Sequence, residues 1–134
     1  MNIGQAAAAS GLSAKMIRHY EQNGLLQPTQ RSEAGYRQYQ SKDIEILKFI
    51  RRARVLGFSL ADIAGLLALW QNPQRSNTMV KQVAQQHLAE VELKLQELHA
   101  MKQTLQQMIA QCAADGGAHC AILQQLANSA AEVN

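Results

Sequence analysis

The sequence predicts a mainly α-helical protein, with a small basic domain, one long helix and a short C-terminal segment. Three observations support this prediction. Apolar residues make up 47% of the 134 residues but aromatic residues only 4%, as expected of a helical protein rich in alanine and leucine. Helix start and stop signals follow one another closely through the first 75 residues. From residue 84 onward, apolar residues recur at alternating steps of four and three.

Two short helices are predicted at the N-terminus. The first covers residues 3–9, a glycine-containing turn covers residues 10–12, and the second covers residues 14–22 before a stop pair at 23–24. This arrangement is the helix-turn-helix pattern, whose second helix places its N-terminal part in the major groove of DNA. The residues expected to face DNA are Ser13, which also caps the second helix, Lys15, Arg18, His19 and Tyr20.

A small two-stranded wing is predicted after these helices. Residues 27–40 are too polar for a core, and the turn is expected near residues 32–35, at Gly35. Arg31, Tyr36 and Arg37 would then flank the turn, where they can contact DNA phosphates. A plain surface hairpin is the alternative interpretation of this segment.

Two further helices complete the predicted domain. Ser41 is expected to cap a helix over residues 42–56, and Ser59 a helix that ends near residue 69. Three arginines lie near the end of the former helix, where they can complement its dipole; for Arg54 we expect a DNA contact as well. The predicted winged helix-turn-helix domain therefore covers residues 1–70, and the break around Pro73 predicts a hinge over residues 71–75.

Charge divides the chain into two halves. Residues 1–75 contain ten lysines and arginines against five acidic residues, whereas residues 76–134 contain three against five. A basic half suits a polyanionic partner, and a solvated basic surface is the alternative.

A long dimerisation helix is predicted over residues 76–112. Its apolar positions follow a heptad spacing that one polar residue, Lys102, interrupts. The seam consists of Ala84, Leu88, Val91, Leu95, Leu98, Leu105 and Ile109. A chain of this size cannot bury such a stripe internally, and the simplest partner is the same helix of a second copy. We therefore predict a homodimer held by a coiled coil.

The two cysteines, Cys112 and Cys120, bracket a seven-residue segment with two adjacent glycines, which can bring both sulfurs together. Residues 112–134 are thus predicted to form a loop and a short helix. The cysteines could be unrelated core residues, a disulfide, which a reducing cytosol disfavours, or a metal site of two thiolates. Two soft thiolates satisfy a monovalent d10 ion such as Cu(I), whereas Zn(II) generally takes four ligands. Asp115 and His119 are expected to point elsewhere.

Several other classes of protein fit the sequence poorly. No apolar run approaches the roughly 18 residues that a membrane span needs, and no basic segment precedes the N-terminal alanines, so neither a span nor a secretory signal is expected. A cytoplasmic protein is the default expectation. Cys112 with His119 could be imagined as a nucleophile pair, but no third orienting group accompanies them, so we do not expect an enzyme.

Three motifs resemble those of the MerR family of transcriptional regulators: I-R-H-Y-E at residues 17–21, G-Y-R-x-Y at 35–39 and R-R-A-R-V-L-G-F at 51–58. The resemblance extends along the long helix and, through the cysteine spacing, to members that sense monovalent copper, silver or gold. It implies a homodimer on double-stranded promoter DNA, at a palindrome inside an unusually long promoter spacer. It also implies that the regulator bends and undertwists this DNA, which realigns the promoter for RNA polymerase.

The resemblance also implies which metal is sensed. Divalent-metal members have a third cysteine near the start of the dimerisation helix, where this chain has Ser76-Asn77 and no further cysteine. A +1 ion is therefore implied at Cys112 and Cys120: Cu(I), with Ag(I) or Au(I) as alternatives. Monovalent sensors often carry serine in place of Asn77, so hydrogen bonding near the loop departs from the pattern. The implied role is activation of copper-efflux genes; the alternatives are a thiol-based redox sensor and a copper chaperone or buffer.

Overall fold

Six helices and two short strands follow one another in the computed structural model, which describes residues 1–27, 30–31, 34–112 and 120–128. The elements are α1 (Ile3–Ser10), α2 (Ala14–Gln22), β1 (Gln30–Arg31), β2 (Arg37–Gln38), α3 (Ser41–Val55), α4 (Leu60–Trp70), α5 (Asn77–Gln111) and α6 (Ala121–Asn128). They fall into two compact units, Met1–His87 and Leu88–Asn134. None of the described helices is both long and apolar enough to cross a membrane.

The helix-turn-helix forms as predicted. Ser13 is the N-cap of α2, and its hydroxyl accepts a hydrogen bond from the backbone N–H of Met16 at 3.1 Å. Gly11 ends α1 with a left-handed φ of 79°, a conformation that glycine adopts without a steric penalty. The cap of α1, Asn2, accepts from the N–H of Gln5 at 2.8 Å. Local signals therefore fix both ends of the turn.

The wing is an antiparallel pair of two-residue strands, as predicted. Gln30 lies opposite Gln38, and Arg31 lies opposite Arg37. Part of the predicted turn, residues 32–33, lies outside the described residues, whereas Gly35 has a positive φ of 86°.

The core of the first unit is made by α1, α2, α3 and α4. Its largest fully buried side chains are Ile17, Leu26, Leu47, Ile50 and Ile63. They come from the apolar faces of three helices and from the segment after α2. The recognition face of α2 is therefore held by burial of the opposite face.

The start of α3 differs from the prediction. Ser41 is the first helical residue and not the cap; Gln40 is the N-cap, and its N–H donates to Asp43 Oδ2 at 2.8 Å. A carboxylate in the first turn satisfies a free N–H and favours the helix dipole, so it replaces a serine cap here. The predicted Ser59 cap of α4 is confirmed, since its hydroxyl accepts from the N–H of Asp62 at 3.1 Å.

The helix α5 runs for 35 residues without interruption, which corresponds to about 52 Å. Its first eleven residues belong to the first unit. His87 makes the contact there: its Nε2 atom lies 2.7 Å from the carbonyl oxygen of Leu56, and its ring lies 4.3 Å from that of Phe58. The turn between α3 and α4 is thereby joined to α5.

We expect Leu47→Ala to lower the free energy of unfolding by about 2–5 kcal/mol, because it leaves a cavity at a side chain with no exposed surface. Leu93→Ala is the matched control, since Leu93 is 60% exposed, and it should change stability by no more than about 0.5 kcal/mol. Urea denaturation at one fixed protein concentration measures both. Equal effects of the two substitutions would contradict this core.

Candidate DNA-binding surface and cysteine pair

The exposed face of α2 presents basic side chains. Lys15, Arg18 and His19 are exposed, and Ser13 is exposed at the N-terminus of the helix. The prediction that Tyr20 projects with them is wrong: Tyr20 is only 2% exposed and packs in the core. Residues three apart in a helix share a face, and Tyr20 therefore joins the buried side of Ile17.

A buried carboxylate joins α2 to the wing. The side chain of Glu21 is 3% exposed, and its Oε2 atom lies 2.5 Å from Nη1 of Arg37. The Tyr39 hydroxyl donates to the other oxygen of Glu21. Burial, followed by this hydrogen bond, raises the pKa of Tyr39 to about 12, so Tyr39 remains a protonated donor. Arg37, expected to contact phosphate, therefore also holds the wing against α2.

Glu21 was missed by the sequence reasoning. The available signal was that Glu21 is the only acidic residue among residues 1–32, in an otherwise basic segment. An isolated carboxylate there suggests a partner for a nearby arginine, but the sequence does not identify that partner as Arg37.

A groove lies between the wing, the start of α1 and Arg18 of α2. Its lining consists of Asn2, Ile3, Arg18, Gly35, Tyr36, Arg37 and Gln38. Tyr36 is 72% exposed, which suits stacking on, or donation to, a ligand in the groove. For Arg31 the structure describes the backbone alone, so its predicted phosphate contact stays a prediction.

Arg54 lies apart from this groove, in the last turn of α3. Its Nη1 donates to the carbonyl oxygen of Phe58 at 3.0 Å, and the side chain is exposed. This contact supports the interpretation that Arg54 complements the C-terminus of α3. The predicted DNA contact of Arg54 stays a prediction.

The structure brings the two cysteines together. Their Sγ atoms lie 3.2 Å apart, which is longer than a disulfide bond of about 2.05 Å. Cys112 directly follows α5, and Cys120 directly precedes α6. Both side chains are half-buried. Asp115 and His119 lie outside the described residues, and the described part of the chain contains no group of three or more potential metal-ligating side chains.

The two thiols differ in acidity. Hydrogen bonding from the backbone of Leu123, in the first turn of α6, is the main cause that lowers the pKa of Cys120. The N-terminus of α6 therefore favours the thiolate form of Cys120. The hydrogen bond with Cys120 is the main cause that raises the pKa of Cys112. The pair therefore holds one thiolate more readily than two.

The short helix α6 contacts the end of α5 within the second unit. Gln125 Nε2 donates to Gln111 Oε1 at 2.7 Å. Met108 is buried, and together with Leu105 and Leu126 it lines an apolar groove between the two helices. The position of Cys120 therefore depends on how α6 packs against α5.

A helix-turn-helix, a wing and a long C-terminal helix with exposed apolar residues define a winged helix-turn-helix DNA-binding protein. The profile described as "MerR HTH family regulatory protein" matches residues 1–69, and the profile "MerR, DNA binding" matches residues 44–108. The chain belongs to the MerR family of transcriptional regulators, as the sequence motifs predicted. It is thus a regulator and not an enzyme.

Similar proteins cover nearly the whole chain. "Heavy metal-dependent transcription regulator 2" of Rhizobium meliloti is 46% identical over all of this chain and 91% of its own length. The transcriptional regulator CueR of Vibrio cholerae is 43% identical over 94% of this chain and 91% of its own. The structure of PbrR691 from Ralstonia metallidurans, in complex with lead(II), has a TM-score of 0.83 at 32% identity and covers 94% of this chain and 98% of its own.

In the metal-free protein we expect Cys120 to be alkylated at lower pH than Cys112. Between the two pKa values Cys120 is the thiolate and Cys112 the thiol, and only the thiolate reacts. Iodoacetamide labelling over a pH series, followed by mass spectrometry, measures both thiols. Cys112→Ala should raise the pKa of Cys120, because the substitution removes a hydrogen bond to its sulfur. The remaining hydrogen bond from the backbone of Leu123 should still keep this pKa below that of an ordinary cysteine. The reverse order of reactivity would contradict this assignment.

Proposed function

We propose that this protein is a homodimeric, metal-responsive regulator that binds promoter DNA sequence-specifically and activates transcription in the cytoplasm. The main support is the close pair of Cys112 and Cys120, whose sulfur atoms are 3.2 Å apart. The pair lies at the end of α5, and the first turns of this helix belong to the same unit as the helix-turn-helix. The chain thus combines a DNA-reading domain with a pair of soft ligands that this domain does not need.

The DNA contacts follow from the exposed surface. The N-terminal part of α2 reads the major groove, as in other recognition helices. The residues that do so are the N-cap Ser13 and, within the helix, Lys15, Arg18 and His19. Arg31, Tyr36 and Arg37 contact phosphates from the wing. Glu21 holds Arg37 against α2, so the two contacting elements approach DNA in a fixed register.

The dimer forms through the apolar seam of α5. Along this seam Leu88, Leu95, Leu98, Leu105 and Ile109 are each between 55% and 63% exposed in the single chain. Exposed leucines at heptad spacing need a partner helix, and a second copy supplies the same seam. A palindromic DNA site matches a dimer of this symmetry.

The inducing metal is Cu(I), or Ag(I) or Au(I), bound by Cys112 and Cys120. Two thiolates are the donor set that suits a soft +1 ion. The two Sγ atoms lie 3.2 Å apart, which is close enough for Cys112 and Cys120 to hold one such ion together.

The two cysteines connect different helices. The backbone N–H of Cys112 donates to the carbonyl oxygen of Met108 at 3.1 Å, so Cys112 continues the hydrogen bonding of α5, whereas Cys120 directly precedes α6. An ion held by both sulfurs would therefore constrain how α6 packs against the end of α5. Nearer the start of the same helix, His87, its eleventh residue, contacts the α3–α4 turn. We infer that metal binding changes the preferred dimer geometry and thereby distorts the promoter for RNA polymerase.

A thiol-based redox sensor is the second candidate. The 3.2 Å separation of the sulfurs favours it as well, because a small movement would allow a disulfide. Metal binding under strictly anaerobic conditions distinguishes the two functions.

We expect Cu(I) or Ag(I), titrated anaerobically, to activate transcription from the target promoter, and Zn(II), which generally takes four ligands, not to. Cys112→Ser and Cys120→Ser should each lower metal affinity more than about 100-fold, since even second-shell changes cost up to that much. Operator binding by the metal-free variants should stay within about twofold of wild type, because neither cysteine lies in the first unit. Activation by Zn(II), or by oxidant alone, would refute the assignment of a +1 metal.

Leu95→Glu should dissociate the dimer, because each interface would then bury a charge without a partner. We expect the dissociation constant to rise at least about 100-fold, which corresponds to about 2.8 kcal/mol. Leu93→Glu is the matched control: Leu93 has the same exposure as Leu95, 60% and 59%, but lies outside the heptad seam. Analytical ultracentrifugation measures both, and dissociation by Leu93→Glu alone would place the interface on another face.

A further inference from the structure

A basic cleft that the proposed contacts do not use lies between the end of α1 and the exposed face of α3. It is lined by Ala9, Ser10, Gly11, Lys48, Arg51 and Arg52. Lys48 lies one turn before Arg51 and Arg52 on α3, so the three cations share a face, and all three are exposed. The wall opposite them is formed by the small residues of the helix-turn-helix turn.

In the part of the chain that the structure describes, no carboxylate forms an ion pair with the cations of this cleft. Among the described residues the salt bridge found is the one between Arg37 and Glu21, and none of the three cleft cations forms an ion pair there. Three like charges within about one and a half turns repel one another. A surface that keeps such a cluster is expected to have an anionic partner.

The dipole of α3 explains this cluster only in part. Arg52 lies in the last turn of α3 and complements its C-terminus, as Arg54 does. Lys48 lies seven residues before the last residue, Val55, which is beyond the turn in which the dipole acts. The position of Lys48 therefore needs another explanation.

Gly11 keeps the cleft open. A Cβ atom built on Gly11 would lie 3.0 Å from both Cζ and Nη1 of Arg51. A side chain at position 11 would therefore displace the guanidinium group. The glycine that makes the helix-turn-helix turn with its positive φ also lets Arg51 lie against the end of α1.

The cleft lies next to the start of the recognition helix. Gly11 is two residues before Ser13, so their Cα atoms are at most about 7 Å apart. The major groove that receives α2 is about 12 Å wide and has a row of phosphates along each edge. Cations this close to the inserted end of α2 are within reach of one of those rows.

We propose that Lys48, Arg51 and Arg52 bind the DNA phosphate backbone beside the recognition helix, and so extend the contact beyond α2 and the wing. This inference rests on the proposed DNA-binding function. Ser10 is the one side chain lining the cleft that can accept a hydrogen bond. The cleft is therefore suited to phosphates, and it contributes affinity for DNA but no base specificity. The alternative partner is an acidic surface of RNA polymerase, and the salt dependence of DNA binding distinguishes the two partners.

The test is the salt dependence of binding by the full-length dimer to a duplex selected from a random pool. Lys48→Gln/Arg52→Gln should reduce the slope of log K against log[salt] by about 2–4, since the dimer loses up to four phosphate contacts and each contributes about 0.9. The matched control, Lys81→Gln/Lys94→Gln, removes the same charge from exposed sites of α5 and should leave the slope unchanged. Lys48→Arg/Arg52→Lys should restore the wild-type slope, and circular dichroism checks that every variant is folded.

An unchanged slope in Lys48→Gln/Arg52→Gln, or an equal decrease in the control, would overturn the proposal. A normal slope combined with weaker polymerase recruitment would assign the cleft to an acidic protein surface instead. The proposed function itself fails in a different way, namely if the wild-type dimer shows no sequence-selective binding to any duplex. The two failures are therefore distinguishable.

Discussion

The structure depends on one constraint: a single 35-residue helix, α5, has more apolar surface than the chain can cover. Its first turns pack in the DNA-binding unit through His87, and its last turn leads into Cys112. Between them, leucines at heptad spacing stay more than half exposed. The same helix therefore contributes to the packing of the first unit, exposes the apolar seam and leads into the thiol pair.

A second level of organisation is electrostatic. The basic half has few acids, and one of them, Glu21, is buried between Arg37 and Tyr39, where it joins the wing to the recognition helix. This ion pair neutralises part of the charge of Arg37. Among the described residues, the cations of the cleft between α1 and α3 form no ion pair. Basic residues in this domain thus divide into those that hold elements together and those that remain available to a polyanion.

The cysteine pair shows how a helix terminus can prepare a ligand. The first turn of α6 stabilises the thiolate of Cys120, and Cys112 hydrogen-bonds to it as a thiol. One soft donor is thereby ready before an ion arrives, while the second must still lose a proton. If the pair binds a metal ion as proposed, its affinity would depend on pH through the proton that Cys112 must lose.

The sequence by itself determined the elements, because caps, stop pairs and heptad spacing are local signals: Ser13 and Ser59 cap helices as predicted, and α5 covers nearly the predicted range. It also identified the family and the two cysteines.

Only the tertiary structure decided which face of α2 is buried, and Tyr20 lies on that face. The tertiary structure also decided that Glu21 is the carboxylate that pairs with Arg37. The structure likewise placed the N-cap of α3 at Gln40 instead of Ser41, and it brought Lys48 and Gly11 to one cleft. These features depend on contacts between residues distant in sequence or on competition between neighbouring caps, and the local pattern does not record either.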